Sequence, residues 1–510
     1  MRLKHTYASN LAYLLKGICH VPSALDTSIS GLRVDSRLVQ KGDLFLALSG
    51  CRSKSTDHIV EAIERGANAI VAEGSLFDGR VFEDGSAVEL FVDDLKHKAG
   101  VIADRFFCSP SQELCVIGIT GTNGKTSVAS YLANYFSLGG VRSGLIGTLG
   151  YGFVEAGNSH FTPTDHTTPN VVDVHRFLAS MRDSGAEVVV MEVSSHGLSQ
   201  GRVDGVAFEG AVFTNLTRDH LDYHGSMEAY GECKRALFET SQLKFAVINN
   251  DDSYASEIKS VIKADVNVVA YGIDTPADIC ATKGKYNTTS ISAKVSLAKQ
   301  EFTIKSPLLG KFNLSNLLAV IAVASAKNDL SNCEHRVKNI GAVKGRMEVF
   351  RTNGQPSVVI DYAHTPDALK SVLEVLKSQC KGRVLLVFGC GGERDQGKRP
   401  EMAEAAELFA DEIWVTNDNP RNEDPIAITE DILAGFSATE TINVELDREK
   451  AIKCALVYSN ENDLVLIAGK GHETWQEIKG KRHYFSDIDV VRRHFGLSLP
   501  ITSSEEVAHD

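Results

Sequence analysis

Two hydrophobic rhythms alternate along this chain. Short apolar runs such as CVIGI at 115–119, EVVVME at 187–192, GAVFTN at 210–215, RVLLVFG at 383–389, EIWVT at 412–416 and DLVLIAG at 463–469 read as buried strands. Between them lie stretches with helical spacing, among them Ser127 to about Leu138, Ile59 to Gly66 and the apolar body of GKFNLSNLLAVIAVA at 310–324. Near the start, SGLRVDSRLVQKGDLFLALSG at 30–50 predicts short strands about a turn at Lys41, Gly42 and Asp43, and Ala67 to Ala72 returns to strand. Alternation of this kind predicts an α/β fold built from open sheets, with the chemistry on the loops that follow the strands.

Composition narrows the class. A chain of 510 residues is too long for one core and predicts about three domains. A net charge of −13 argues against nucleic-acid binding through bulk electrostatics. The ten cysteines include no CxxC pair, so they suggest buried thiols in a reducing compartment instead of a zinc site or a disulfide framework. The N-terminal apolar segment is too short and interrupted for a signal peptide, and no run approaches the roughly 18 apolar residues of a membrane span. A cytoplasmic, monomeric enzyme with no membrane insertion is the default expectation.

The chemistry centres on VIGITGTNGKTS at 116–127. A strand leads into a loop whose Gly121 and Gly124 let backbone N–H groups converge on a polyphosphate, Lys125 adds a charge, and the Thr126 hydroxyl suits Mg²⁺. The strict GxxxxGK[ST] spacing would want glycine where Ile119 stands, and a tight glycine turn without a ligand is the bland alternative. Glu192 ends an apolar strand and is placed either to meet a metal beside that loop or to face water. LTRDHLDYHG gathers Asp219, His220, Asp222 and His224, which suggests a metal site of their own or, preferably, a share in the phosphate and Mg²⁺ site. The triplet Asp35–Ser36–Arg37 reads as a solvated turn, Lys234 as a solvated helical lysine, Asn313 as a helix N-cap and DNPR at 418–421 as a turn with a surface arginine.

GxxGTNGKT, MEVSSHGL, TNLTRDHLDYHG and DNPR together resemble the Mur ligase family of ATP-dependent amide-forming enzymes, from about residue 30 to 495. The resemblance implies three domains: a small N-terminal α/β substrate domain at 1–109, a central P-loop ATPase-like α/β domain with a mostly parallel sheet at 110–345, and a C-terminal Rossmann-like α/β domain at 346–510 that closes over nucleotide during turnover. ATP would be held by Gly118, Gly121, Thr122, Asn123, Gly124, Lys125, Thr126 and Ser127, with Asn313 and Asn316 against adenine, Arg346 on the phosphates and Asp361 on the ribose. Mg²⁺ would bind Thr126, Glu192, His220 and a carbamylated Lys234, so that Lys125, Lys234, His220 and Glu192 form the catalytic set. A UDP-N-acetylmuramoyl dipeptide would meet Val34, Ser36, His166, Thr167, Thr168, Ser194, Gln200 and Arg202. His166 stands where the family usually has asparagine, and Cys51, Arg52 and Ser53 depart from the family's adjoining uridine segment.

DNPR is the form found in family members that accept meso-diaminopimelate, with Arg394, Asp418, Asn419, Pro420, Arg421, Gly469 and Glu473 forming the amino-acid pocket. Diaminopimelate differs from lysine by a far-end carboxylate, which a planar guanidinium can grip with two bonds. Without that carboxylate the same arginine repels lysine's terminal ammonium. A lysine-adding ligase, a folylpolyglutamate synthase and a nucleotide-binding scaffold are the competing readings, disfavoured by DNPR, by the DSR-containing first domain and by the intact catalytic set.

Overall fold

The computed structural model describes residues 7–48, 55–74, 80–82, 87–155, 160–287, 290–297 and 300–498. Cys51, Arg52, Ser53 and the tail at 501–510 lie outside the described residues. The chain forms two compact units: Met1–Asn215 with Gly231–Cys280 and Leu317–Arg336, and Leu216–Tyr230 with Ala281–Asn316 and Val337–Asp510.

Two sheets of the first unit position the site. A five-stranded one runs in the order Gly31–Arg33, Asp43–Ala47, Ala69–Glu73, Val88–Val92, Arg80–Val81, parallel except for the last pair. Its apolar side joins the buried residues of the helices Leu95–Phe106 and Val171–Asp183 in one core. The larger sheet places Cys115–Thr120 between Val188–Glu192 and Phe208–Phe213, all parallel, with Phe245–Asn249 and Asn267–Gly272 continuing beyond. Val188 to Glu192 are buried without exception, as a strand covered on both faces requires. Because the three strands run the same way, their carboxyl ends bring Gly121, Glu192 and Thr214 to one edge.

The second unit holds a six-stranded sheet in the order Glu348–Phe350, Ser357–Asp361, Leu464–Ala468, Val384–Phe388, Glu412–Val415, Asn443–Val444. Only its first pair is antiparallel. Helices Pro366–Gln379, Lys398–Phe409 and Pro425–Leu433 share one core on the sheet, and Arg448–Tyr458 with Asp487–His494 share a second. The α/β class with mostly parallel sheets is therefore as expected from the sequence.

Candidate functional site

In the first unit the loop after Cys115–Thr120 is shaped by close packing. Gly121 has φ +148°, and a Cβ there would lie 1.9 Å from Thr214 Oγ1, so no larger residue fits. Asn215 ties the loop down: its carbonyl accepts the N–H of Thr122 and its side-chain oxygen the N–H of Asn123, each at 2.8 Å. Gly124, at φ 86°, turns the chain into the helix Lys125–Leu138. The first-turn amides of a helix have no carbonyl of their own helix to bind, which makes such an N-terminus a place for phosphate. Lys125 Nζ lies over the loop and donates to the carbonyls of Gly121 and Thr122 at 2.9 Å each. Gly118 sits inside the strand, where a Cβ would press on Phe208 at 2.9 Å. Ser127 is buried in the first turn of the helix.

Glu192 does not face water: it is 0% exposed. Its Oε2 accepts the hydroxyls of Thr126 at 2.8 Å and Thr148 at 3.1 Å, and its Oε1 accepts the Thr148 N–H at 2.8 Å. One carboxylate with two hydroxyls is a hard-oxygen set, the donor chemistry that suits Mg²⁺ alongside water and phosphate oxygens. Lys234 is not a solvated lysine either. It is 1% exposed and donates from Nζ to the Gly121 carbonyl at 2.8 Å. Thr148, absent from the sequence reading, was detectable only as one more polar residue after a strand, since its partner Glu192 is distant in sequence.

Of the residues expected to meet the UDP-dipeptide, Thr167, Thr168, Ser194, Gln200 and Arg202 form one network in this unit. Thr167 Oγ1 lies 3.0 Å from Thr148 Oγ1. Thr168 Oγ1 donates to the Glu192 carbonyl at 2.9 Å and accepts the Ser194 N–H at 2.9 Å. Ser194 caps the short helix Ser195–Ser199. Arg202 donates to the Thr168 carbonyl at 2.8 Å and, from Nε and Nη2, to Gln200 Oε1 at 3.0 and 2.6 Å. His166 is exposed. In the smaller sheet's edge loop, Ser36 is buried and donates to Glu61 Oε2 at 2.6 Å, while Arg37 faces solvent and pairs with Asp35. The DSR turn thus has an outward arginine and an inward serine, and Val34 packs against the core.

The second unit holds the remaining expected residues. His220 lies beside Asp219, 3.3 Å from Nε2 to Oδ2. Burial alone would raise the Asp219 carboxyl, but Lys398 at 3.3 Å and the nearby His364 and His220 hold it well below the usual carboxylate range. Asp222 is exposed, and among the described residues no group of three or more His, Cys, Asp or Glu side chains is arranged to hold a metal. The separate metal site considered for this segment is thereby corrected. Asn313 is not an N-cap: the helix Lys311–Ala326 begins two residues before it, its Nδ2 donates to the Leu309 carbonyl at 2.9 Å, and Asn316 donates to its Oδ1 at 3.2 Å. Arg346 stacks its guanidinium 4.3 Å from the Tyr362 ring centre. Asp361, at the tip of its strand, accepts the N–H groups of Met347 and Ala363 at 2.7 Å each. Burial pushes its carboxyl upward in spite of Arg346.

The diaminopimelate candidates converge. Arg421 is in the left-handed region at φ 54°, its N–H donates to the Glu477 carbonyl at 3.0 Å, and its Nη1 donates to the Gly392 carbonyl at 2.6 Å. Its side chain is 16% exposed, so it is no surface arginine. Burial and the neighbouring Arg394 push its pKa down, against the opposing pull of Glu477, 3.6 Å from its Nε, and of Asp418 and Glu473. Pro420 closes over Gly392, where a Cβ would meet its carbonyl at 2.1 Å, and Gly469, at φ +113°, leaves room for the Asp418 carboxylate. Asn419 donates to Glu473 Oε2 at 3.0 Å. Lys470, which sequence reasoning passed over inside the AGKGHETW cluster, bonds both of them. Beneath the loops, the buried Arg448 pairs with Asp487 at 2.8 Å and donates to the carbonyls of Asn417 at 3.3 Å and Ala468 at 2.9 Å, tying two strand ends together.

Comparison with known proteins gives this arrangement a lineage. Residues 119–324 match the Mur ligase middle domain and residues 345–471 the Mur ligase, glutamate ligase domain. A UDP-N-acetylmuramoyl-L-alanyl-D-glutamate--2,6-diaminopimelate ligase of Xylella fastidiosa (strain 9a5c) is 46% identical over 490 residues, covering 95% of this chain and 96% of the relative. The same-named ligase of Coxiella burnetii (strain RSA 493 / Nine Mile phase I) is 42% identical over 92% of this chain and 96% of its own. A solved structure with that name superposes at a TM-score of 0.64 with 36% identity, over 92% of this chain and 95% of that one. With the phosphate loop and the buried Glu192 inside the first matched segment, the DNPR loop inside the second and relatives this similar over nearly the whole chain, the chain belongs to the Mur ligase family.

Proposed function

We propose that the protein is an ATP-dependent amide ligase that adds meso-diaminopimelate to the D-glutamate of UDP-N-acetylmuramoyl-L-alanyl-D-glutamate in peptidoglycan precursor synthesis. The observation that carries this reading is the largely buried Arg421 guanidinium, which lies with the Arg394 side chain against Gly391 and is suited to a carboxylate that lysine lacks. It agrees with the names of the relatives that cover nearly the whole chain.

The reaction runs in two steps. The γ-phosphoryl group of ATP moves to the free D-glutamyl carboxylate, releasing ADP and giving an acyl phosphate. The diaminopimelate amine then attacks the acyl carbon, and phosphate leaves through a tetrahedral intermediate. Oxide is a poor leaving group, so phosphorylation makes the exchange feasible at neutral pH. The chain's task is positioning and charge neutralisation. Lys125 and the helix N-terminus receive the phosphates, and Arg202, Thr168 and Ser194 orient the dipeptide. Asn313, Asn316, Arg346 and Asp361 serve the nucleoside and its phosphates. Mg²⁺, held by Thr126, Glu192 and the carbamate of Lys234, would screen the transferring phosphoryl charge. Carbamylation has a physical motive: an ammonium at Lys234 would be a competing cation, whereas a carbamate is an oxygen ligand. The metal role of His220 rests on the resemblance alone. The domain limits 1–109, 110–345 and 346–510, a cytoplasmic location and a monomeric state belong to the same proposal; no helix among the described residues is long and apolar enough to cross a membrane.

The test is product identity. Purified protein incubated with ATP, Mg²⁺, the UDP-dipeptide and meso-diaminopimelate should yield, by mass spectrometry, the UDP-tripeptide with stoichiometric phosphate. ATP consumption with no new amide would overturn the reading.

A further inference from the structure

We propose that Lys470 is a positioning residue for the incoming amino acid, acting through Asn419 and Glu473. The inference rests on the function proposed above and deepens its amino-acid pocket. Lys470 is 0% exposed, although a lysine is seldom fully buried without a task for its charge. Its Nζ donates to Asn419 Oδ1 at 3.0 Å and to Glu473 Oε2 at 2.8 Å, and it lies 5.5 Å from the Trp475 ring centre.

These bonds decide two orientations. Asn419 Oδ1 accepts from both Lys470 and the Glu477 N–H at 3.0 Å, so the amide can present only its NH₂ side to Glu473. A flipped amide would set two donors against one another at Lys470. Glu473 Oε2 is in turn occupied by the Lys470 ammonium and the Asn419 amide together, which leaves Oε1 with a long 3.4 Å contact from the Tyr362 hydroxyl. One carboxylate oxygen is thus committed to the protein and the other is oriented to receive an ammonium of the amino acid. Lys470 does not touch substrate; it fixes which atoms of Asn419 and Glu473 do. Bonds of a buried charge to a carboxylate and an amide are strong, and removing one partner leaves the others misoriented and unsatisfied.

The experiment compares wild type, Lys470→Met, Lys470→Gln, Glu473→Gln and the double variant Lys470→Met/Glu473→Gln in two assays. One measures amide formation with meso-diaminopimelate. The other supplies hydroxylamine as a small amine that captures the acyl phosphate as a hydroxamate and needs no amino-acid pocket. Lys470→Met and Lys470→Gln should lower kcat/KM for diaminopimelate on the order of 100-fold, mostly through KM. Hydroxamate formation and KM for ATP should stay within about threefold of wild type. In the Glu473→Gln background the Lys470→Met change should cost little more, because the two act as one unit. Equal losses in both assays would mark Lys470 as a folding element and overturn the assignment, as would fully additive effects or an unchanged KM for diaminopimelate. Failure of wild type to form the diaminopimelate amide would instead overturn the proposed function, so the two failures are distinguishable.

Discussion

The ammonium of Lys234 donates to the carbonyl of Gly121 at 2.8 Å, from a side chain that is 1% exposed. Lys125 lies over the same carbonyl at 2.9 Å, so two lysine amines share one acceptor of the phosphate loop. Conversion to a carbamate would turn the second cation into an oxygen ligand. Lys234→Ala is therefore expected to lose at least about 100-fold in kcat, with part of it returned by formate or acetate supplied in solution. Full activity in the variant with no response to added carboxylates would contradict this.

Gly121 is fixed by space as much as by conformation. A Cβ at that position would fall 1.9 Å from Thr214 Oγ1 at a φ of +148°. Gly121→Ala should therefore cost about 1–3 kcal/mol of stability, seen as a lowered Tm, and the displaced loop should bind ATP weakly even at temperatures where the variant is folded. Calorimetric titration with ATP and Mg²⁺ checks the second part.

Some of this was readable from sequence and some was not, for physical reasons. The loop at 121–124 announced itself because its glycines and Lys125 are contiguous, and the strands at 188–192 and 464–468 because burial on both faces leaves an unbroken apolar run. Long-range partners left no such trace. Glu192 and Lys234 looked equally compatible with solvent until their neighbours Thr148 and Gly121, distant in sequence, came beside them. Asn313 was misplaced by cap propensity, whereas the helix starts at Lys311 behind Gly310 at φ +87°. Lys470 and Arg448 are charged residues that only folding shows to be fully buried.

The pair Glu209–Lys327 makes an acid-sensitive contribution away from the chemistry. Burial alone would raise the Glu209 carboxyl, but bonds from Lys327 at 2.7 Å, Cys115 and Lys244 hold it at about 2. A carboxyl whose folded pKa is depressed adds stability that is fully present above its unfolded value and fades as pH falls toward the folded one. Lys327→Met should therefore lower Tm at pH 7, and its deficit relative to wild type should shrink between about pH 4.5 and pH 2. Melting curves across that window measure it; a deficit that grows with acidity would reverse the sign.

Arg448 and Asp487 are both 0% exposed in their side chains and lie 2.8 Å apart. Arg448→Met leaves a buried carboxylate without its partner and releases the strand ends at Asn417 and Ala468. A loss of about 3–5 kcal/mol is expected in denaturant unfolding, with KM for diaminopimelate rising in whatever fraction remains folded.

The proposed function assigns the choice of amine to Arg421. The most direct measurement is phosphate release from ATP in the presence of the UDP-dipeptide, with meso-diaminopimelate, lysine or no amino acid, for wild type and Arg421→Ala. Wild type should release phosphate rapidly with diaminopimelate alone, and the variant should lose about 2–5 kcal/mol of that preference, read as the ratio of kcat/KM values. Equal rates with lysine and diaminopimelate in wild type, or an undiminished preference in Arg421→Ala, would contradict the account.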